Sequence, residues 1–121
     1  MSISIGAITM DCDNAVELAA FWSAALDRPI DTGGPGASEF FASIGRDDPA
    51  GPGTAMMFIK VPESKTVKNR THLDLTSDDP AAEVERLVGL GATVIHDKAE
   101  WGHEWTTLAD PEGNEFCIAA H

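Results

Sequence analysis

The chain has 121 residues, enough for one domain to bury a core without disulfide or metal staples. Its 20 acidic residues against 8 lysines and arginines give a formal charge of −12, which excludes the positive surface that nucleic acid or an anionic membrane needs and suits a solvated acidic surface or a cationic ligand. No apolar run approaches the ~20 residues of a membrane span, no basic stretch precedes the apolar N-terminus, and the two cysteines are too few for a disulfide framework, so the reading is a reduced, cytoplasmic protein.

The first predicted element is a half-buried strand over Ile3–Cys12. Ile8, Met10 and Cys12 fall on one face, and Ala7, Thr9 and Asp11 on the other. A helix follows. Asn14 with Glu17 three residues on is a capping pattern, Leu18, Phe21, Trp22 and Ala25 recur at helical spacing, and Pro29 predicts the stop. "EFFASI" and "TAMMFIKV" read as strands on either side of the Gly/Pro-rich loop "GRDDPAGPGT".

The order then recurs. "RTHLDLTS" alternates, with Leu73 and Leu75 on one face and His72, Asp74 and Thr76 on the other. The next helix has Asp79 as N-cap, Pro80 at its first position, an apolar stripe of Val84, Leu87 and Val88, and Gly91 as stop. "ATVIHDK", "EWTTLA" and "EFCIAAH" are three further strands. The pattern predicts an α+β fold of two βαβββ modules, about 1–63 and about 68–121, within one domain of 1–121. Each module is a four-stranded mixed sheet under its own helix, with a cleft between the two sheets.

Strand parity then nominates the cleft lining. If the leucines and Ile8, Met10, Phe116 and Ile118 pack under the helices, then Thr9, Asp11, His72, Asp74, Thr76, Glu115 and Cys117 face the cleft. Phe40, Phe41, Met57 and Phe58 offer apolar wall, and Trp101 and Trp105 flank His103 at the mouth. An acidic, aromatic-lined cleft with few or no basic groups and one titratable histidine suits a cationic or amine-bearing organic molecule. The ligand-binding set is Thr9, Met57, His72, Asp74, Trp101, His103, Trp105, Glu115 and Cys117. Each aromatic has a plain packing alternative, in the core or at a dimer interface. His72 and Cys117 admit three readings: metal ligands, a catalytic thiol–imidazole pair, or lining of one pocket.

The ordered stretches "AFWSAALDRP", "VPESKTVKNRTHLDL", "VERLVGLGATVI" and "WTTLADPEGNEFCI" resemble the vicinal oxygen chelate superfamily of glyoxalase I, bleomycin-resistance proteins and extradiol dioxygenases. Within it they resemble the small glyoxalase-like domain group. In that superfamily metal ligands come from the first and last strand of each module. The resemblance places His72 at one ligand position, Cys117 where a glutamate is usual, Ala7 at a third, and no donor anywhere in Thr54–Ile59. Two donors are fewer than a catalytic zinc takes, so the expectation is no tightly bound metal and no cofactor. A divalent metal using His72 stays as the alternative, its third ligand coming from Glu115, Asp74, His103 or a partner chain.

The resemblance implies a small-molecule binder of the drug-sequestering type and a homodimer. The alternatives are a metal-dependent lyase, isomerase or dioxygenase with a rebuilt site, a metal-free enzyme using His72 as general base with Asp74 orienting it, and an interaction module with a filled pocket.

Overall fold

The computed structural model describes residues 2–121, which divide into two compact units, one ending at Ser64 and the other beginning at Lys65. The architecture is α+β, with one helix and one mixed sheet in each unit.

In the first unit, β1 (Ile8–Cys12) runs parallel to β3 (Met56–Lys60), which pairs antiparallel with β2 (Phe41–Ile44), giving the order β1-β3-β2. The expected strand Ile3–Cys12 is shorter than its alternation suggested: Ile3 and Ile5 are exposed and precede the paired segment. Among the described residues the sheet has three strands rather than four. The position outside β2 is reduced to one bridge between Ile30 and Ile44, because the Gly/Pro-rich segment after it cannot sustain a ladder. Helix α1 (Ala15–Leu26) packs on β2 and β3, burying Leu18 and Trp22 with Ile44 and Phe58. The Asn14 side chain accepts the Glu17 N–H at 3.2 Å. The stop comes before Pro29: Asp27 takes the left-handed conformation at φ 53 and its N–H reaches the Ser23 carbonyl. Phe58, expected as ligand-facing wall, is fully buried and shares a register pair with Met10, so it belongs to the core.

In the second unit the order is β4-β7-β6-β5, from β4 (Leu73–Ser77), β5 (Thr93–Glu100), β6 (His103–Ala109) and β7 (Glu115–Ala120). Only β4 and β7 are parallel. Helix α2 (Pro80–Leu90) starts where Asp79 accepts the Ala82 N–H at 3.2 Å and ends at Gly91, whose φ of 123 suits glycine. The helix covers one sheet face, with Leu87 buried alongside Leu108, Phe116 and Ile118. Val88, expected on the apolar stripe, is 45% exposed. Among the described residues no helix is long and apolar enough to cross a membrane.

The stretch between the fifth and sixth strands is not a loose connection. Strands β5 and β6 extend until Glu100 opposes His103, leaving only Trp101 and Gly102 in the turn. Both sit at positive φ, 52 and 76, the type I′ pattern that matches strand twist.

Candidate functional site

The sheet face of the second unit away from α2 forms an open groove of about 1110 Å³. Register explains its composition, because paired residues on neighbouring strands point to the same side. Asp74 opposes Cys117, Cys117 opposes Thr107, and Thr107 opposes His96. One row further along, Ala119 opposes Trp105, which opposes Lys98. The small Ala119 leaves Trp105 room beside it.

His72 stands just before β4, with its Nδ1 3.3 Å from Asp74 Oδ1. Thr107 Oγ1 and Cys117 Sγ are 3.4 Å apart, and Thr107 and Cys117 are the least exposed of these polar groups, so they form the floor. The rim is the β5–β6 hairpin, where Trp101 is 86% exposed and His103 and Glu104 are exposed as well. Seven of the nine residues of the ligand-binding set line this one groove, His72, Asp74, Trp101, His103, Trp105, Glu115 and Cys117, and Thr76 from the parity set joins them. Thr9 and Met57 are not among its lining. They are register partners on the open face of the first unit's sheet, Thr9 exposed and Met57 half-buried.

The groove is less acidic than parity suggested. Glu115 lines it, but its carboxylate is engaged: Lys65 Nζ lies 3.1 Å from Oε1, and the Asn69 N–H donates to Oε2 at 3.1 Å. Burial alone would raise this carboxyl, but the Asn69 and Lys65 hydrogen bonds and the Lys65 charge outweigh it and hold the pKa below its usual value. Lys68 and Lys98 also line the groove, and Lys98 lies 3.8 Å from Glu100. After those pairs, Asp74 and Glu104 stand against Lys68, a small acidic excess.

Imidazoles are more numerous than the sequence suggested. All four histidines of the chain, His72, His96, His103 and His121, line the groove. His96 was missed because β5 carries a bulge at Ile95. A regular ladder continuing from the Val94–Leu108 pair would set Ile95 opposite Thr107; the extra residue puts His96 there instead. His121 lies beyond the end of β7, where alternation gives no signal; its Nε2 is 3.5 Å from Asp78 Oδ1.

Against known proteins, the profile of the family described as "Glyoxalase-like domain" matches residues 7–119. No curated protein matches the chain. Among solved structures, a glyoxalase/bleomycin resistance protein/dioxygenase family enzyme from Burkholderia phytofirmans PsJN superposes with a TM-score of 0.75 at 16% identity, covering 98% of each chain. A bleomycin-binding protein from Streptomyces verticillus, solved with copper(II)-bleomycin, gives 0.63 at 15% identity over 100% of this chain and 98% of that one. An antibiotic binding protein from Streptomyces sp. CB03234 gives 0.69 at 19% identity over 99% and 98%. At these identities the likeness is one of fold.

Proposed function

The chain belongs to the glyoxalase-like domain family, and from that membership we propose that it is a small-molecule-binding protein whose ligand is an organic cation held in the groove of the second unit. The observation that carries the reading is the assembly of Trp101, Trp105 and Asp74, with Glu104 at the rim, along one open groove of about 1110 Å³, a little above the usual range for small-molecule sites. The two indoles supply flat apolar surface and a negative ring face for a positive group. Asp74 and Glu104 tip the charge. Both are exposed, so the charge preference is modest, about 1 kcal/mol or less. A bleomycin-binding protein and an antibiotic binding protein among the structural neighbours support a sequestering role.

We infer a homodimer as well, since β5 presents an unpaired outer edge with Val94 and Ile95 exposed. Sedimentation showing only monomer at micromolar concentration would sink it. A cytoplasmic, reducing setting would keep the Cys117 thiol intact.

The binding reading is tested by thermal-shift screening with matched cationic, neutral and anionic aromatic compounds. A cation present at 100 times its Kd should stabilise by about 2.7 kcal/mol, and Trp105→Ala should remove most of the shift. Equal shifts from anionic compounds, or none from any class, would refute it.

The contact between His72 and Asp74 favours one second reading. An imidazole with a carboxylate beside Nδ1 can be oriented by it to act as a general base through Nε2. If a compound found in the screen is returned chemically changed, and His72→Gln stops the change without weakening binding, this second reading replaces the first.

A further inference from the structure

The β5–β6 hairpin is longer than the sheet that supports it. Its ladder runs on from the Lys98–Trp105 pair through Ala99–Glu104 to Glu100–His103, whereas the ladder between β6 and β7 ends at Trp105–Ala119. The six residues Ala99–Glu104 therefore project past the last row shared with β7 as a two-stranded arm. Three residues at about 3.3 Å each make it about 10 Å long. All six are exposed. Among the described residues, the side chains of Trp101, His103 and Glu104 have no hydrogen bond or ion pair, and the arm's ion pair, Glu100 with Lys98 at 3.8 Å, lies at its base.

Two further features mark the arm as a moving part. A two-stranded ribbon is only marginally stable by itself and is more strongly twisted than a sheet, and β5 has no strand on its outer side to stiffen it. At the tip, Trp101 takes the left-handed conformation at φ 52, which strains any residue with a Cβ. Its indole is 86% exposed, so packing does not offset that strain. A strained residue that packs against little points to function rather than to stability.

We propose that this arm is a flap, built wholly within the second unit, that pivots at the Lys98–Trp105 pair and closes Trp101 over a compound lying on Trp105. Side-chain direction gives the sense of the movement. Alternation from Lys98 and Trp105 puts Glu100 and His103 on the groove side, and Glu100, Trp101, Gly102, His103 and Glu104 already form one wall of the groove. A swing of about 45° carries the tip of a ~10 Å arm about 7–8 Å, more than one strand spacing. In the empty groove the indole has nothing flat to cover, so the open form dominates. A planar ring system on Trp105 supplies that surface and shifts the population toward closure. Closure also removes water from charge contacts that are weak while exposed. It follows encounter, so it slows escape more than entry. What the flap closes on rests on the binding reading above; whether it moves does not.

The test has two parts. The first uses the full ligand-free chain labelled with 5-fluorotryptophan, with the Trp101 signal assigned as the one that Trp101→Phe removes. Fluorine relaxation dispersion should show microsecond-to-millisecond exchange at Trp101 and none at Trp22, which is fully buried. The second mixes the chain with proflavine, a flat aromatic cation, in a stopped-flow instrument. The observed rate should level off as proflavine is raised, the mark of a closing step after encounter. In a variant with residues 99–104 replaced by Asn-Gly, a two-residue turn joins β5 to β6 where β7 still supports them. There the rate should rise linearly, and dissociation should be at least about tenfold faster, since losses of this kind fall mainly on the off-rate. No exchange at Trp101 in the free chain overturns the flap, and so does a dissociation rate that the shortened turn leaves unchanged. If proflavine does not bind, the binding reading falls, while exchange at Trp101 still upholds the flap and its absence still overturns it.

Discussion

Replacing Asp110 with alanine tests whether one buried carboxylate fixes the entry to β7, the strand that carries Cys117. Asp110 is 3% exposed, and its Oδ1 accepts from the Glu112 N–H at 2.9 Å, the Asn114 N–H at 3.0 Å and Asn114 Nδ2 at 3.2 Å, with Nδ2 also 3.0 Å from Oδ2. Asn114 then accepts from Asn69 Nδ2, and Asn69 Oδ1 accepts the Glu115 N–H at 2.9 Å, so the turn fastens the segment before β4 to the start of β7. The alanine variant removes the side-chain acceptor of the Glu112 and Asn114 N–H groups and both contacts of Asn114 Nδ2. A hydrogen bond to a charged group is worth about 1.5–3 kcal/mol net, and a stranded buried donor costs a similar amount. Two such losses, reduced because water reaches part of the turn and the terms are not additive, come to roughly 2–4 kcal/mol. For a chain of this size that lowers Tm by roughly 10 °C. Urea unfolding at neutral pH, followed by circular dichroism, measures it, with the m-value checked for constancy. Asp110→Asn keeps one oxygen acceptor and should fall between the two. A loss below about 0.5 kcal/mol for Asp110→Ala, within the range of ordinary surface changes, would refute the claim that this carboxylate holds the turn.

Glu115 gives a pH prediction. Its folded-state pKa lies below the usual value near 4.5, so the group contributes stability above that pH and loses it as pH falls through the depressed value. The stability gap between the native chain and Glu115→Gln, measured by urea titration from neutral to acid, should narrow below that pH; a gap independent of pH would refute it. Trp101→Asn should raise stability by about 0.5–1 kcal/mol, because asparagine tolerates the left-handed turn position at little cost and the indole is 86% exposed. The same change should weaken binding of cationic aromatic compounds in the thermal-shift assay, whereas loss of stability would show that Trp101 serves packing.

Local signals made both helices legible. Asn14 and Asp79 cap as their side chains dictate, and Gly91 ends α2 because only glycine takes its φ without strain. Period-two alternation was enough to bring His72, Asp74 and Cys117 to one face. Non-local geometry was not legible. The bulge at Ile95, which turns His96 into the groove, depends on how β5 meets β6 rather than on either strand's own pattern. Lys65 neutralises Glu115 across a separation that no periodicity encodes. Asp27 stops α1 where proline was expected to, because a single left-handed residue already satisfies the last carbonyls.

The parallel pairing of β4 with β7 also sets an order of events during folding. The β5–β6 hairpin closes through a two-residue turn, an event of microseconds. Its neighbour β7 adds to β6 through the compact Asp110–Asn114 turn. Asp74 and Cys117, by contrast, meet across about 40 residues of intervening chain, and that loop-closure entropy is spent before any contact between the two strands is gained. The rim tryptophans are therefore in place while the floor is still open. The same asymmetry persists in the native state, where the rim hairpin is held by contacts close in sequence and the β4–β7 seam by contacts distant in it.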